Sequence, residues 1–209
     1  MPDILFADGS IAPTGWTLVP YPPANAPQPK ARGKAGLARI TGEAAAPIEL
    51  LDSLPVPVGK VIVPFALWQH RRAELEARFS TGEIALWLDA CEEVETLVAA
   101  VDLATLPLLA LDFPKAGDGR AFSSATLLRT RYGYRGALWA VGDVLCDYFA
   151  FMFRCGFDVV VPKPGRYTPA QLQDAATRLK LFPQPYQGAV DDARPLWRRV
   201  ARSAGATLQ

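Results

Sequence analysis

Between residues 60 and 180, short runs of β-branched and aliphatic residues alternate with longer stretches whose apolar positions recur every three or four residues. That alternation is the sequence sign of consecutive parallel βα units. Five can be counted. The first pairs a strand over 60–65 with a helix over 66–79, whose Leu67, Leu75 and Phe79 share one face and which Gly82 closes. The second pairs 84–88 with a helix over 92–101, where Glu92, Glu93 and Glu95 put negative charge at the positive end of the helix dipole. The third pairs 106–113 with 123–132, with Ser123 and Ser124 as candidate N-caps and Gly133 as the stop. The fourth strand, 137–141, leads through Gly142 and Asp143 into an apolar helix that ends at Gly156. The fifth, 158–161, precedes Thr168-Pro169, cap then proline, at the head of the last helix.

Parallel strands need covered faces, and a closed eight-unit barrel takes roughly 250 residues. The expected fold is therefore α/β, with about five consecutive βα units in a mostly parallel sheet or partial TIM-like barrel, three-layered or curved and two-layered. Two short apolar runs around Asp8-Gly9 add an N-terminal β-hairpin. The organisation expected is a hairpin and Pro-rich flexible segment over 1–54, an α/β core over 55–182, and a C-terminal tail over 183–209 that packs on the core. Within the first part, residues 20–36 hold five prolines and then Lys30, Arg32 and Lys34 on very little apolar surface, which reads as a mobile loop.

Composition narrows the function classes. Twenty-two basic against twenty-one acidic side chains give a net charge of +1, so no global field favours nucleic acid or an anionic membrane. The longest apolar runs fall far short of the ~20 residues of a spanning helix, and the first ten residues lack a secretion signal, so a cytoplasmic protein is expected. Cys91, Cys146 and Cys155 form no short pair and no even set, as in a reducing compartment, and are expected as buried free thiols. The single histidine, His70, reads as a surface residue, and no metal site is expected.

In open parallel sheets and barrels, ligands gather at the carboxyl ends of the strands. Asp89, Asp112, Lys115, Asp118, Arg120, Asp143, Lys163 and Arg166 follow strands here. The loop 112–120 sets two acids and two bases on a turn tightened by Gly117 and Gly119. Asp112, Lys115, Asp118, Arg120 and Asp143 are the candidate catalytic cluster, for acid/base work on a small anion. The plainer alternative has Asp118 and Arg120 pairing with each other or capping the next helix, and Asp143 capping its own. No dinucleotide fingerprint, P-loop, C-x-x-C or nucleophile elbow is present, and three scattered cysteines do not make an iron–sulfur site. No cofactor is expected on the chain itself. The helix over 144–154 carries more apolar surface than one buried stripe requires, so either the core or a partner covers the excess. Tyr148, Phe151, Arg154 and Phe157 are the candidate partner-binding residues, and a homodimer is one form such a contact can take.

Asp112-Phe113-Pro114-Lys115 with Asp118-Gly119-Arg120, Leu127-Leu128-Arg129, Tyr132-Gly133-Tyr134, Val141-Gly142-Asp143-Val144-Leu145 and Arg154-Cys155-Gly156-Phe157-Asp158 follow in order. Together they resemble a bacterial family of unknown function whose members carry an oxidoreductase label tied to sulfite reduction. Fainter similarity reaches Val63–Trp68 upstream and Pro195–Arg199 downstream. The resemblance implies a setting beside the sulfite reductase haemoprotein, in sulfate assimilation and cysteine synthesis, without a mechanism. Ala116-Gly117, Ala121-Phe122, Cys146 and Tyr148 depart from the family pattern, the last two standing where arginine and glutamine are usual. An accessory partner of the haemoprotein is the first expectation. An enzyme for a small anionic substrate at the strand ends is the second, and a flavin-dependent reductase the third.

Overall fold

The computed structural model of the chain describes residues 3–20, 48–181 and 186–199. Among them, eight strands form one sheet: β1 Asp3–Phe6, β2 Ile11–Pro13, β3 Thr17–Leu18, β4 Val61–Pro64, β5 Ile84–Leu88, β6 Leu108–Phe113, β7 Ala137–Gly142 and β8 Val159–Pro162. Their spatial order is β2-β1-β8-β7-β6-β5-β4-β3. β3 through β8 run parallel, and β1 and β2 pair antiparallel at the far edge. The sheet is curled into a half-barrel. The expected run of five βα units is present, but the sheet is mixed, neither purely parallel nor a TIM-like barrel.

The hairpin is part of that sheet. Asp8 Oδ1 accepts from the backbone N–H and the hydroxyl of Ser10, and Gly9 takes φ +84°, which turns β1 into β2. β1 then pairs with β8, Leu5 opposite Val160, and buries Leu5 completely. The loop predicted for residues 20–36 lies, beyond Pro20, outside the described residues.

Strand order that follows chain order, with crossovers of one hand, puts every covering helix on one face. The helices are α1 Ile48–Ser53, α2 Phe65–His70, α3 Arg72–Ser80, α4 Val94–Ala100, α5 Arg120–Thr130, α6 Phe149–Arg154, α7 Pro169–Arg178 and α8 Leu196–Arg199. Leu67, Leu75, Leu97, Leu128, Met152 and Leu172 from them pack on the alternate strand residues Val63, Leu86, Leu109, Leu111, Leu138 and Val160. The other, concave face is filled by Ile62, Trp87, Leu108, Ala110, Trp139, Val141 and Val161, with Phe6 and Trp16 against them. Trp87 crosses that face and donates its indole N–H to the Val19 carbonyl at 2.9 Å. Two indoles supply the bulk that a second helical layer supplies elsewhere, so the body is two-layered.

Three helical expectations are corrected. The stretch 66–79 is two helices because Arg71 leaves helical geometry at φ −106°, ψ 29°. Its guanidinium reaches the Leu54 carbonyl at 2.7 Å and clasps Glu74. α5 begins at Arg120, three residues before Ser123: the Asp118 carboxylate accepts the Arg120 N–H at 3.1 Å, and Ser124 Oγ donates back to the Arg120 carbonyl within the helix. The apolar stretch after β7 is a 3-10 turn, Cys146–Tyr148, followed by the short α6. The last helix matches its signal, with Thr168 and Gln171 closing a capping box around Pro169.

Candidate functional site

Residues of alternating sidedness carry the concave face up to the carboxyl ends of the strands. On β6 the series Leu108, Ala110, Asp112 ends in a carboxylate, next to Trp87 and Val141 of the neighbouring strands. Asp112 is half-buried, and its Oδ1 lies against Gly142 at the end of β7. Gly142 has φ +110°, and a Cβ there would meet the Phe113 carbonyl oxygen at 2.6 Å and Asp112 Oδ1 at 2.7 Å. Only glycine lets β7 turn this close to the carboxylate.

Asp112 faces Asp89 from β5, Lys163 from β8 and Asp118 from its own loop. Burial, reinforced by Asp89, pushes its carboxyl up to about 7, with Lys163 opposing. A second carboxyl behaves likewise. Glu92 turns inward before α4, accepts the Asp89 N–H at 2.7 Å and bonds the Ala66 backbone at the start of α2; burial pushes it up to about 7. The Asp89 carboxylate in turn accepts the Cys91 N–H at 2.9 Å, which tightens the turn between the two acids. Asp89, Glu92, Asp112 and Ser124 line one cavity of about 10 Å³ beneath the strand ends, room for a single water. Among the described residues no guanidinium pairs with either carboxyl to keep it ionised, so the arrangement can hold and release protons near neutral pH.

The other predicted residues are placed around this pair. Asp118 and Arg120 form a two-pronged ion pair, 3.0 Å and 2.6 Å, and the guanidinium also donates to Cys91 Sγ at 3.3 Å. Pairing and helix capping, the plainer alternative for these two, is what the structure contains. Asp143 caps no helix: its N–H donates to the Phe113 carbonyl and its carboxylate faces Arg166 at 3.5 Å. Lys163 extends toward the Pro114 carbonyl at 3.4 Å, and Lys115 is exposed on the rim. Glu92 and Ser124 were missed as site residues. In the sequence Glu92 stands only as negative charge at a helix start, and nothing in the helix pattern marks its inward turn. Among the described residues no group of three or more histidine, cysteine, aspartate or glutamate side chains is arranged to hold a metal.

The partner-binding candidates lie in the helical layer. Tyr148 and Phe151 are 40% and 50% exposed, and both pack on Phe122, which leads inward to Phe113. Phe157 is corrected: at 2% exposure it is buried against Phe113 and supports the face from beneath. Arg154 lines a groove of about 540 Å³ between α5, α6 and the C-terminal segment, where its carbonyl accepts the Val190 N–H. Cys155 is buried, whereas Cys91 and Cys146 are half-buried, and none of the three is in a disulfide. His70 sits on the surface against Asp52.

Several of the resembling residues serve the opposite end of the sheet. Arg129, with its side chain 8% exposed, donates to the carbonyls of Gly156, Tyr134 and Gly136 and to Asp158 Oδ2, and the Tyr134 hydroxyl donates to the Leu106 and Ala137 carbonyls. These bonds tie the loops at the amino ends of β6, β7 and β8, at the end of the sheet away from the carboxyl pair.

Fold and site together define a half-barrel α/β protein with a protonatable carboxyl pair at its strand ends. The chain belongs to the family described as bacterial protein of unknown function, DUF934, whose profile matches residues 85–197, from β5 to α8. No curated protein and no solved structure matches it. Among the described residues no helix is long and apolar enough to cross a membrane.

Proposed function

We propose that the protein is a cytoplasmic accessory partner of assimilatory sulfite reduction that docks on the sulfite reductase haemoprotein and helps its assembly or electron supply. The setting rests on the family resemblance. The structural observation that supports a partner role is the exposed aromatic face of Tyr148 and Phe151, which continues the apolar packing of Phe113 and Phe122 to the surface. Aromatic and arginine residues dominate the energetics of protein interfaces. Purified protein and cognate haemoprotein should co-sediment, and Phe151→Asp should weaken the complex at least tenfold. A mixture that shows no complex and no change in sulfite turnover would overturn the proposal.

A second reading, an enzyme acting on a small anionic substrate at the strand ends, is favoured by the Asp112 and Glu92 carboxyls held near neutrality. It requires that Asp112→Asn with Glu92→Gln abolish cellular function while the protein remains folded. Full function of that double variant removes this reading.

A further inference from the structure

The turn that follows β5 is tied back to α2 by a carboxyl. Residues 89–92 close on themselves: the Glu92 N–H donates to the Asp89 carbonyl at 2.9 Å, the Asp89 N–H to Glu92 Oε2 at 2.7 Å, and the Cys91 N–H to Asp89 Oδ1 at 2.9 Å. From this turn Glu92 also reaches back to the backbone of Ala66, and Cys91 reaches forward to the Arg120 guanidinium at 3.3 Å. The Ala66 anchor is fixed, because β4 runs into α2 without a loop and the flanking Phe65 and Leu67 are buried. Beneath the turn lies the cavity of about 10 Å³, whose wall sets three carboxyls, Asp89, Glu92 and Asp112, among Leu88, Leu111 and Ala121. Three negative charges do not stand together in a space with room for one water, so a proton belongs to the closed arrangement. Glu92 faces Asp89 in its own turn and Asp112 across the cavity. α5 presents the uncharged Ala121 and Ser124 there, with Arg120 at its head bonded to Asp118 and Cys91. Asp112 in turn faces Lys163 and Asp118.

We propose that residues 89–93 are a proton-operated latch over the strand ends: a proton on the Glu92 carboxyl keeps the turn closed on Ala66, and its loss lets the turn swing out and opens the cavity, with Asp112 and Ser124 in its wall, to solvent. Both backbone bonds to Glu92 favour its ionised form, but burial outweighs them and holds the carboxyl up to about 7. In the open turn the carboxyl is hydrated and returns to the ordinary glutamate value of roughly 4.3. The closed turn therefore binds the proton more tightly than the open one. Closure is strongest below the lower value, weakens as pH rises between the two, and changes little above the higher. The latch rests on neither functional reading; it decides at which pH the strand-end carboxyls meet a solute.

Hydrogen exchange of the full chain, followed amide by amide by NMR, tests it. Protection of the Asp89 and Ala66 amides should fall roughly thirtyfold between pH 5 and pH 7, and by no more than about twofold from pH 7 to pH 9. At every pH these two should be less protected than Ala140 in β7, which marks opening of the turn as distinct from unfolding of the chain. Glu92→Gln keeps an oxygen for the backbone bonds and removes the titration, so its protection should vary by less than about threefold from pH 5 to pH 7. In the wild-type chain, protection that does not change between pH 5 and pH 7, or that equals that of Ala140, overturns the latch without recourse to a variant. A larger pH dependence in Glu92→Gln places the proton on another group and overturns the assignment to Glu92.

Discussion

Asp112 is where sequence and chemistry meet most closely in this chain. An acid whose pKa is higher folded than unfolded binds extra protons in the native state, so folding loses stability as pH rises between the two values. For Asp112 the window runs from the ordinary aspartate value, about 4, up to the folded value of about 7. Asp112→Asn removes the titration, so its stability relative to wild type should improve by roughly 2–3 kcal/mol between pH 5 and pH 8. Urea denaturation at the two pH values measures this, and a difference that does not change with pH contradicts it. Gly142→Ala should go the other way, losing at least about 2 kcal/mol, since it combines an unfavourable φ with a collision against Asp112 and Phe113. The strand-end position of Asp112 was legible in the sequence. The inward turn of Glu92 was not, because helix periodicity places a residue along an axis and says nothing of a turn that precedes the helix.

At the scale of elements, α5 joins the two ends of the sheet, with Asp118 and Arg120 at its head and Arg129 near its foot. Arg129→Met leaves the carbonyls of Gly156, Tyr134 and Gly136 without their donor in a closed environment. It should cost on the order of 3 kcal/mol, read as a lowered urea midpoint. The exposed Arg178–Asp174 pair on α7 is the control: Arg178→Met should change stability by under about 1 kcal/mol. Thr168→Ala, which opens the capping box of α7, should cost about 1 kcal/mol. Helix existence was readable from periodicity within the βα units, and the α7 start from its cap and proline, whereas α1 and α8 fall in stretches expected to be a flexible segment and a tail. The start of α5 was not, because the serines at 123 and 124 offered a conventional cap while the helix begins after Gly119 without a side-chain cap, Asp118 accepting the Arg120 N–H from the loop. The break at Arg71 was equally hidden, since it depends on a carbonyl seventeen residues away, at Leu54.

Across the whole molecule, the succession of βα units predicted a sheet whose strands follow chain order. What it did not reveal is how the edges and the helix-free face are finished. β1 enters antiparallel beside β8, and that pairing depends on contacts more than 150 positions apart, between Leu5 and Val160. Trp87 and Trp139 fall inside predicted strands with nothing in their spacing to single them out, yet they fill the concave face where a helix layer is missing. The carboxyl pair sits at the strand ends in a cavity it shares with Leu88, Leu111, Ala121 and Ser124, and the aromatic groove lies between α5, α6 and the C-terminal segment. One molecule thus offers two surfaces of different chemistry, and the proposed partner role draws on the second.

The most direct test of that role is growth of a clean deletion strain on sulfate, sulfite or sulfide as sole sulfur source. An accessory function in sulfite reduction predicts failure on sulfate and sulfite with rescue by sulfide, restored by the wild-type gene and not by Phe151→Asp. Normal growth on all three sources, in a strain with no second sulfite reductase, would contradict it.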